Sequence, residues 1–184
     1  MESTRLLIRR MEKVDEASFV SGIADRALRI AYGFPADMDD AVSAKIFERF
    51  FCLNNSYSLV EKDSGAVIGF LLEVEPELPE NLRTGLPERG RTLAYAVFPP
   101  YQRKGYMLEA LQAVIPELFR CAGVEYIHCG HFEENIPSRE LLRKLGFREY
   151  ASHQNRDKLI IDEILRRGVC EHLDAVDIKG GIRT

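Results

Sequence analysis

The apolar residues of the chain recur with two different periods, which predict short strands combined with amphipathic helices. Alternating or continuous apolar runs of strand length cover residues 6–10, 57–61, 66–74, 91–98 and 124–132. Helical spacing covers residues 12–31, 39–52, 105–120 and 137–145, and Gly33-Phe34-Pro35 separates the first two of these segments. The predicted order is therefore a strand, two helices, three strands, a helix, a strand and a helix.

Two segments carry a weaker pattern. Residues 75–90 contain three prolines, two glycines and many charges, which predicts a long loop of the kind that often has a function. In the tail from 150 to 184, the apolar residues of 158–166 fit a helix and a strand equally well. Residues 172–178 are predicted to form a strand.

Composition is typical of one soluble globular domain that covers residues 1–184. Apolar residues make up 46% and charged residues 29% of the 184 residues, enough to bury a core without metals or disulfides. The net charge of −4 argues against a general nucleic-acid binder, which needs a basic surplus or a basic patch. No apolar run approaches the ~20 residues that span a bilayer, and the first residues are polar. We therefore expect a cytoplasmic protein without membrane contact.

The cysteine pattern indicates neither a metal centre nor a disulfide scaffold. No two cysteines have the Cys-x-x-Cys spacing, and no pair of histidines completes a zinc motif. We therefore expect no metal, and we expect reduced cysteines that serve mainly in packing: Cys52, Cys121, Cys129 and Cys170.

A predicted strand–turn–helix junction at residues 96–107 is the first candidate site. The strand ends in two prolines, and Gln-Arg-Lys-Gly (residues 102–105) leads into a helix with one apolar stripe. The first N–H groups of a helix have no intrahelical acceptor and carry partial positive charge, so such a turn can bind phosphate. Gly105 lets the backbone approach a ligand closely. Taken alone, the same residues also fit a solvated turn.

A second motif, Asn135-Ile-Pro-Ser138, opens a short helix that ends in Leu-Gly-Phe at residues 145–147. Asn135 suits the N-cap position, the proline suits the first turn, and Gly146 suits the position after the last turn. By itself this pattern describes only a well-capped helix. It gains weight because the first motif lies about thirty residues upstream, with one predicted strand between the two.

Together, Tyr-Gln-Arg-Lys-Gly-Tyr-Met (residues 101–107) and Asn-x-x-Ser…Leu-Gly-Phe resemble the two characteristic segments of the GNAT superfamily of N-acetyltransferases. Gly-Tyr-Met-x-Glu-Ala-Leu (residues 105–111) is most similar to the branch of ribosomal-protein N-terminal acetyltransferases, and the likeness covers residues 6–147. It implies an α/β fold with a mixed, mostly antiparallel sheet of six to seven strands. The fourth and fifth strands would splay apart, with helices on both faces of the sheet.

The resemblance also implies that acetyl-CoA binds as co-substrate in the slot between the splayed strands. The backbone at Val97 and Phe98 would pair with the pantetheine arm, and Asn135 and Ser138 would lie along its other side. Backbone amides would hold the pyrophosphate, namely those of Arg103, Lys104, Gly105, Tyr106 and Met107. Met107 replaces the second small residue of the family motif, and its side chain can point into the core, as in the resembling branch.

Two departures from the family leave the catalytic acid and base without the usual residues. The tyrosine acid of many relatives corresponds to Leu142, and the glutamate base on the fifth strand corresponds to Gly130. The resembling branch suggests Ser138 as the acid that protonates the thiolate. His131 or His128 is our candidate for the base, because the pKa of histidine, near 6.5, suits proton transfer at neutral pH. The alternatives are a serine that only binds the cofactor and histidines that are only structural.

We expect acetyl transfer to a primary amine by direct attack, in a monomer or homodimer. A protein or peptide N-terminus is favoured over a small amine, because an α-amine has a pKa near 7.7–8.0 and a lysine amine near 10.4. More of the α-amine is therefore neutral at pH 7 without a strong base. Glu133, Glu134 and the acidic segment 73–80 can either attract a cationic acceptor or form a solvated face. A non-catalytic acyl-CoA sensor is the alternative, since the usual tyrosine and glutamate are missing.

Overall fold

A computed structural model of the chain describes residues 1–168, which contain one mixed sheet of seven strands. The strands are β1 (Leu6–Arg10), β2 (Ser56–Glu61), β3 (Val67–Val74), β4 (Gly90–Val97), β5 (Tyr126–Phe132), β6 (Arg148–Asn155) and β7 (Lys158–Arg166). Their order across the sheet is β1-β2-β3-β4-β5-β7-β6. Neighbouring strands are antiparallel except β4 and β5, which are parallel. The expected mixed, mostly antiparallel sheet is confirmed.

The helices of the described chain are α1 (Glu16–Gly22), α2 (Arg26–Tyr32), α3 (Asp40–Phe51), α4 (Glu80–Arg83), α5 (Tyr106–Cys121) and α6 (Ile136–Lys144). The prediction of one helix over 12–31 is wrong, because this segment contains a 3₁₀ turn (Lys13–Asp15) followed by α1 and α2. The break has a local cause: the Asp25 carboxylate accepts the N–H of Leu28 at 2.7 Å and so caps a new helix. None of the helices within residues 1–168 is long and apolar enough to cross a membrane.

The tail resolves into a hairpin of β6 and β7. Residues 158–166, which fitted two periods, form a strand that is paired on both sides, with β5 and with β6. β6 was not predicted, because most of its residues are polar and exposed and give no apolar alternation. The strand predicted at 172–178 and Cys170 lie outside the described residues.

Helices cover both faces of the sheet and form two separate cores. On one face, α5 and α6 bury Leu111, Ile115 and Leu142 against strand residues such as Leu93 and Ile127. On the other face, the helices α1 to α3 bury an aromatic cluster around Phe19, Phe47 and Phe70. The slot between β4 and β5 therefore opens towards two different helical layers.

Asp15 fixes the N-terminal helices to the sheet. Its carboxylate is almost fully buried and accepts two hydrogen bonds from Arg9 on β1, at 2.8 and 2.7 Å. It also accepts the Ser58 hydroxyl on β2 at 2.6 Å and the backbone N–H of Glu12 at 2.9 Å. Every oxygen of this buried charge is thus satisfied, which holds α1 in place beside the slot.

Candidate active site

The strands β4 and β5 pair only where they begin. The aligned residues are Gly90 with Tyr126, Arg91 with Ile127 and Thr92 with His128. Beyond Thr92, β4 stays paired with β3 and β5 stays paired with β7, so the two central strands separate. A cleft of about 840 Å³ lies at this opening and is lined by residues from both strands and from α2, α6 and the β6–β7 hairpin.

The end of β4 presents a partly free backbone edge to the slot. Phe98 donates its N–H to Ile68 on β3 at 2.8 Å, so alternation directs the N–H groups of Val97 and Tyr95 towards the slot. The carbonyl of Val97 accepts the Gln102 side chain at 2.9 Å. Val97 therefore keeps an N–H for a ligand.

The backbone of Phe98 is not free to pair with a pantetheine arm, contrary to the expectation from the sequence. Its N–H is bonded to Ile68, its carbonyl accepts the N–H of Tyr101 at 2.9 Å, and its ring is buried in the core under α1. The geometry therefore gives Phe98 no free backbone donor for a pantetheine arm, and of the two predicted residues only Val97 has one.

The turn before α5 leaves a row of backbone donors without partners. Gly105 adopts a left-handed φ of 81° and Arg103 a φ of 61°, which reverses the chain direction at the start of the helix. Within residues 1–168, the N–H groups of Gly105, Tyr106, Met107 and Leu108 meet no hydrogen-bond acceptor. Such a row, at the positive end of a 16-residue helix, is a general anion site.

Side chains around this turn add positive charge without blocking the donors. Arg103 and Lys104 are exposed, whereas the side chains of Tyr106 and Met107 are buried in the core, each 8% exposed. Arg5, which directly precedes β1, donates a hydrogen bond from its side chain to the Lys104 carbonyl at 3.1 Å. Its guanidinium lies 4.3 Å from the centre of the Tyr106 ring. Arg5 also pairs with Glu109 in the first turn of α5 at 2.7 Å, so Arg103 and Lys104 supply the net positive charge at this turn.

The start of α6 faces this edge across the slot. Asn135 caps the helix, because its side-chain oxygen accepts the N–H of Ser138 at 3.3 Å. The Ser138 hydroxyl lies 3.2 Å from the hydroxyl of Tyr95, which projects from β4. Burial raises the pKa of the Tyr95 phenol well above its usual value, so this hydroxyl stays protonated. Leu142, at the position of the family's tyrosine, is fully buried in the core.

Tyr95 is a candidate functional residue that sequence analysis missed. The available signal was its place in β4, where alternation separates Tyr95 from Ala96 and Phe98, which lie in the core on the opposite face of the sheet. The partner on α6 could not be seen from the sequence.

Both ring nitrogens of His131 have hydrogen-bond partners within the protein. Its Nδ1 lies 2.9 Å from the Phe132 carbonyl and its Nε2 lies 3.0 Å from the Glu163 carboxylate. Burial lowers the pKa of His131, but the hydrogen bonds to Glu163 and Phe132 and the charge of Glu163 outweigh it, so the pKa is raised. Both ring nitrogens are occupied, and the geometry gives no support to His131 as the base.

On the opposite face of the slot, four polar side chains form one continuous chain of hydrogen bonds. Thr92 accepts the N–H of Glu77 at 3.0 Å and lies 2.8 Å from Nδ1 of His128. Nε2 of His128 lies 2.9 Å from one oxygen of Asp162, whose other oxygen lies 2.7 Å from Nδ1 of His153. Both nitrogens of His128 are thus also occupied.

Gly130 keeps space open beside this chain. It is aligned with Asp162 on β7, and a Cβ at Gly130 would lie 3.6 Å from an Asp162 oxygen and 3.4 Å from Ile160. A carboxylate is therefore present next to the position of the family's glutamate, but it comes from β7. The sequence could not reveal this, because the strand assignment and register of residues 158–166 were ambiguous.

The remaining cleft walls come from segments with little sequence signal. Besides Tyr95, four aromatic side chains and several charged groups line it: Tyr32, Phe34, Phe50, Phe132, Arg49, Glu77, Arg156, Asp157 and Lys158. Glu133 and Glu134, which were considered for attracting an acceptor, are exposed outside this lining, and Glu134 pairs with Lys158 at 2.9 Å.

The cysteines do not contribute an obvious reactive group to the cleft. Cys129 is buried beside the slot, and burial raises the pKa of its thiol. Cys52 and Cys121 are exposed, so the prediction of a packing role fits only Cys129 among the described cysteines. In residues 1–168, no cluster of His, Cys, Asp and Glu is arranged to hold a metal ion.

Comparisons with known proteins agree with this geometry. A family model described as "Acetyltransferase (GNAT) domain" matches residues 5–148. No curated protein sequence matches the chain.

Solved structures share the fold at low sequence identity. A GNAT-family acetyltransferase from Bacillus anthracis is 17% identical, with a TM-score of 0.76 over 90% of this chain and 97% of that one. A spermidine N-acetyltransferase from Vibrio cholerae, in complex with CoA and spermine, is 14% identical, with a TM-score of 0.70 over 89% and 96%. A ribosomal-protein-S5-alanine acetyltransferase from Vibrio fischeri is 16% identical, with a TM-score of 0.65 over 91% and 96%.

Proposed function

Because the chain belongs to the GNAT family of acetyltransferases, whose co-substrate is acetyl-CoA, we propose that it transfers the acetyl group directly to a primary amine. The observation that carries the proposal is the separation of β4 from β5 beyond Thr92, directly beside the unpaired N–H groups that open α5. One feature can receive a thioester and the other can receive a diphosphate, so together they fit one extended cofactor.

The proposed cofactor path uses the free groups of the slot. The diphosphate lies on the N–H groups from Gly105 to Leu108, with Arg103 and Lys104 beside it. The pantetheine runs along the open edge of β4 at Val97, opposite Asn135 and Ser138 on α6. The backbone donors of this path, from Gly105 to Leu108 and at Val97, have no other hydrogen-bond acceptor in residues 1–168.

The hydroxyl pair of Ser138 and Tyr95 supplies the acid in this proposal. When the carbon–sulfur bond breaks, the sulfur leaves as a thiolate and needs a proton. Ser138 donates its proton to the sulfur, and Tyr95 donates to Ser138 in turn, since the two hydroxyls lie 3.2 Å apart. Tyr95 then regains a proton from solvent in the cleft that it lines. The raised pKa of Tyr95 keeps this donor protonated across the neutral and alkaline range.

The acceptor amine enters the cleft from the face that carries α1 to α3. The cleft is lined by aromatic rings and by both acidic and basic groups, and its rings together with Glu77 suit a cationic amine with an apolar neighbour. We propose the N-terminus of a protein or peptide as the first candidate and a small polyamine as the second. The relatives named above include one of each kind by their names.

A turnover assay with a panel of amines tests the proposal. The release of CoA thiol is measured with acetyl-CoA and peptides that begin with Ala, Ser or Met, with spermidine and with lysine. Each peptide is paired with its N-formylated form, which has no free α-amine. We expect turnover with at least one free amine and none with the blocked partner. Binding of acetyl-CoA by calorimetry without turnover on any amine would contradict transfer and would fit a sensor.

A further inference from the structure

His153 on β6 is the histidine of the cleft that has a free ring nitrogen. Its side chain is 25% exposed and lines the same cleft as Tyr95, Asn135 and Ser138. Nδ1 lies 2.7 Å from the buried carboxylate of Asp162, and Nε2 meets no partner anywhere in residues 1–168. No buried side-chain nitrogen or oxygen of the described chain lacks a partner, so this Nε2 is accessible to solvent, on a residue that lines the cleft.

The hydrogen-bond chain through Asp162 fixes which nitrogen carries the proton. The Thr92 hydroxyl accepts from Glu77, so it can donate to Nδ1 of His128, which places the other proton of that ring on Nε2. Asp162 accepts that Nε2–H and, on its other oxygen, the Nδ1–H of His153. This chain holds the neutral form of the His153 ring with its proton on Nδ1 and its lone pair on Nε2, the nitrogen without a partner in residues 1–168.

Resting on the proposed acetyl transfer, we propose that His153 is the catalytic base of this protein and that Asp162 positions it. Nε2 of His153 accepts the proton of the incoming amine, directly or through one water, and later releases it to solvent. The amine nitrogen forms a bond with the thioester carbon and the carbon–sulfur bond breaks. The amine enters as an ammonium ion and loses two protons as it becomes the amide, the first to Nε2 of His153 and the second to solvent. The sulfur gains one proton from Ser138 as it becomes the thiol, and solvent restores that proton through Tyr95.

Other charged groups share the cleft with His153. Asp162 on β7 and His128 on β5 face it through the hydrogen-bond chain. The adjoining turn, helix α3 and the 75–89 segment contribute the other charged groups that line the same cleft: Arg156, Asp157, Lys158, Arg49 and Glu77. Gly130 adds no side chain between His153 and the centre of the slot, which leaves room for the amine.

His153→Asn is the sharpest test, because the amide nitrogen of Asn can replace Nδ1 as donor to Asp162 while Nε2 is lost. We expect kcat/KM for a peptide amine at pH 7 to fall ~100-fold or more, the lower range for a lost general base. The loss should shrink as the pH rises past the amine pKa of about 8 and should be greater for a lysine amine, whose pKa is near 10.4. Acetyl-CoA affinity by calorimetry should not change.

The matched control is Gln154→Asn, which places the same side chain on the exposed, opposite face of β6 and should leave kcat/KM unchanged. His153→Gln, with thermal unfolding measured for each variant, guards against a folding defect. An active wild-type protein whose His153→Asn variant matches it at every pH, or loses the same factor at every pH, would overturn the role of His153 alone. A wild-type protein that acetylates no amine would instead overturn the proposed function and the base with it.

Discussion

Replacing Tyr95 with Phe removes one hydroxyl and keeps the ring that packs against the core. In the resting protein the two hydroxyls are 3.2 Å apart, which is long for this kind of hydrogen bond, so the cost to stability is about 0.5–1 kcal/mol. When the sulfur departs as a thiolate, the same pair faces a negative charge. Hydrogen bonds to charged groups contribute about 1.5–3 kcal/mol, so we expect kcat to fall roughly 10- to 100-fold.

A double-mutant cycle with Ser138→Ala is the assay for this prediction. Values of kcat are measured from CoA thiol release at saturating substrates for Tyr95→Phe, Ser138→Ala and the double variant. Because the two hydroxyls donate in series, the double variant should lose about as much as the worse single variant. The raised pKa of Tyr95 also predicts that the ratio of wild type to Tyr95→Phe stays constant up to pH 10. An unchanged kcat, or losses that simply multiply, would refute this relay.

Three further substitutions test the packing around the sheet and the proposed diphosphate site at the turn before α5. Asp15→Ala should lower the free energy of unfolding by about 3–5 kcal/mol at pH 7, because Arg9 and the buried hydroxyl of Ser58 lose their acceptor. Burial raises the pKa of Asp15, but hydrogen bonds from Arg9, Ser58 and the backbone outweigh this effect and hold the pKa below 3.8. The difference in stability from wild type should therefore shrink only as the pH falls below that value. Urea unfolding at pH 7 and pH 3 checks this, and equal stability of the two proteins at pH 7 would count against it. Gly69→Ala places a Cβ against the carbonyl oxygen of Ala96 and 3.1 Å from the Val97 Cα, so calorimetry should show a lower Tm, with a loss of about 1–3 kcal/mol; an unchanged Tm would contradict the close strand approach. Lys104→Glu should weaken CoA binding about tenfold at low salt and less at high salt, by titration calorimetry, and a salt-independent affinity would contradict a charge effect.

The turn with unpaired N–H groups before α5 and the cap of α6 could be predicted because their causes are local. The unpaired N–H groups at the start of a helix depend on a few adjacent residues. In the sequence, Gly105 marks the start of α5 and Asn135 marks the start of α6. The buried side chain of Met107 also follows from its place on the apolar stripe of α5. By contrast, the break after α1 depends on whether Asp25 caps a new helix or continues the old one, and apolar spacing does not decide that.

Of the proposed proton-transfer groups, Ser138 was predicted, but Tyr95 and His153 could not be, because their roles depend on partners far away in the chain. His131 and His128 suit a base by residue type, but Glu163 and Asp162, on a strand with an ambiguous pattern, occupy their free nitrogens. His153 lies on a strand that has almost no apolar signal. Its open Nε2 becomes visible only when the register of β6 and β7 is known.

The most direct test of this account is a crystal structure of the protein with acetyl-CoA. The account predicts diphosphate oxygens within hydrogen-bonding distance of the N–H groups from Gly105 to Leu108, and a thioester between β4 and β5 beyond Thr92. A cofactor bound elsewhere, with that turn unoccupied and the two strands hydrogen-bonded along their whole length, would contradict it.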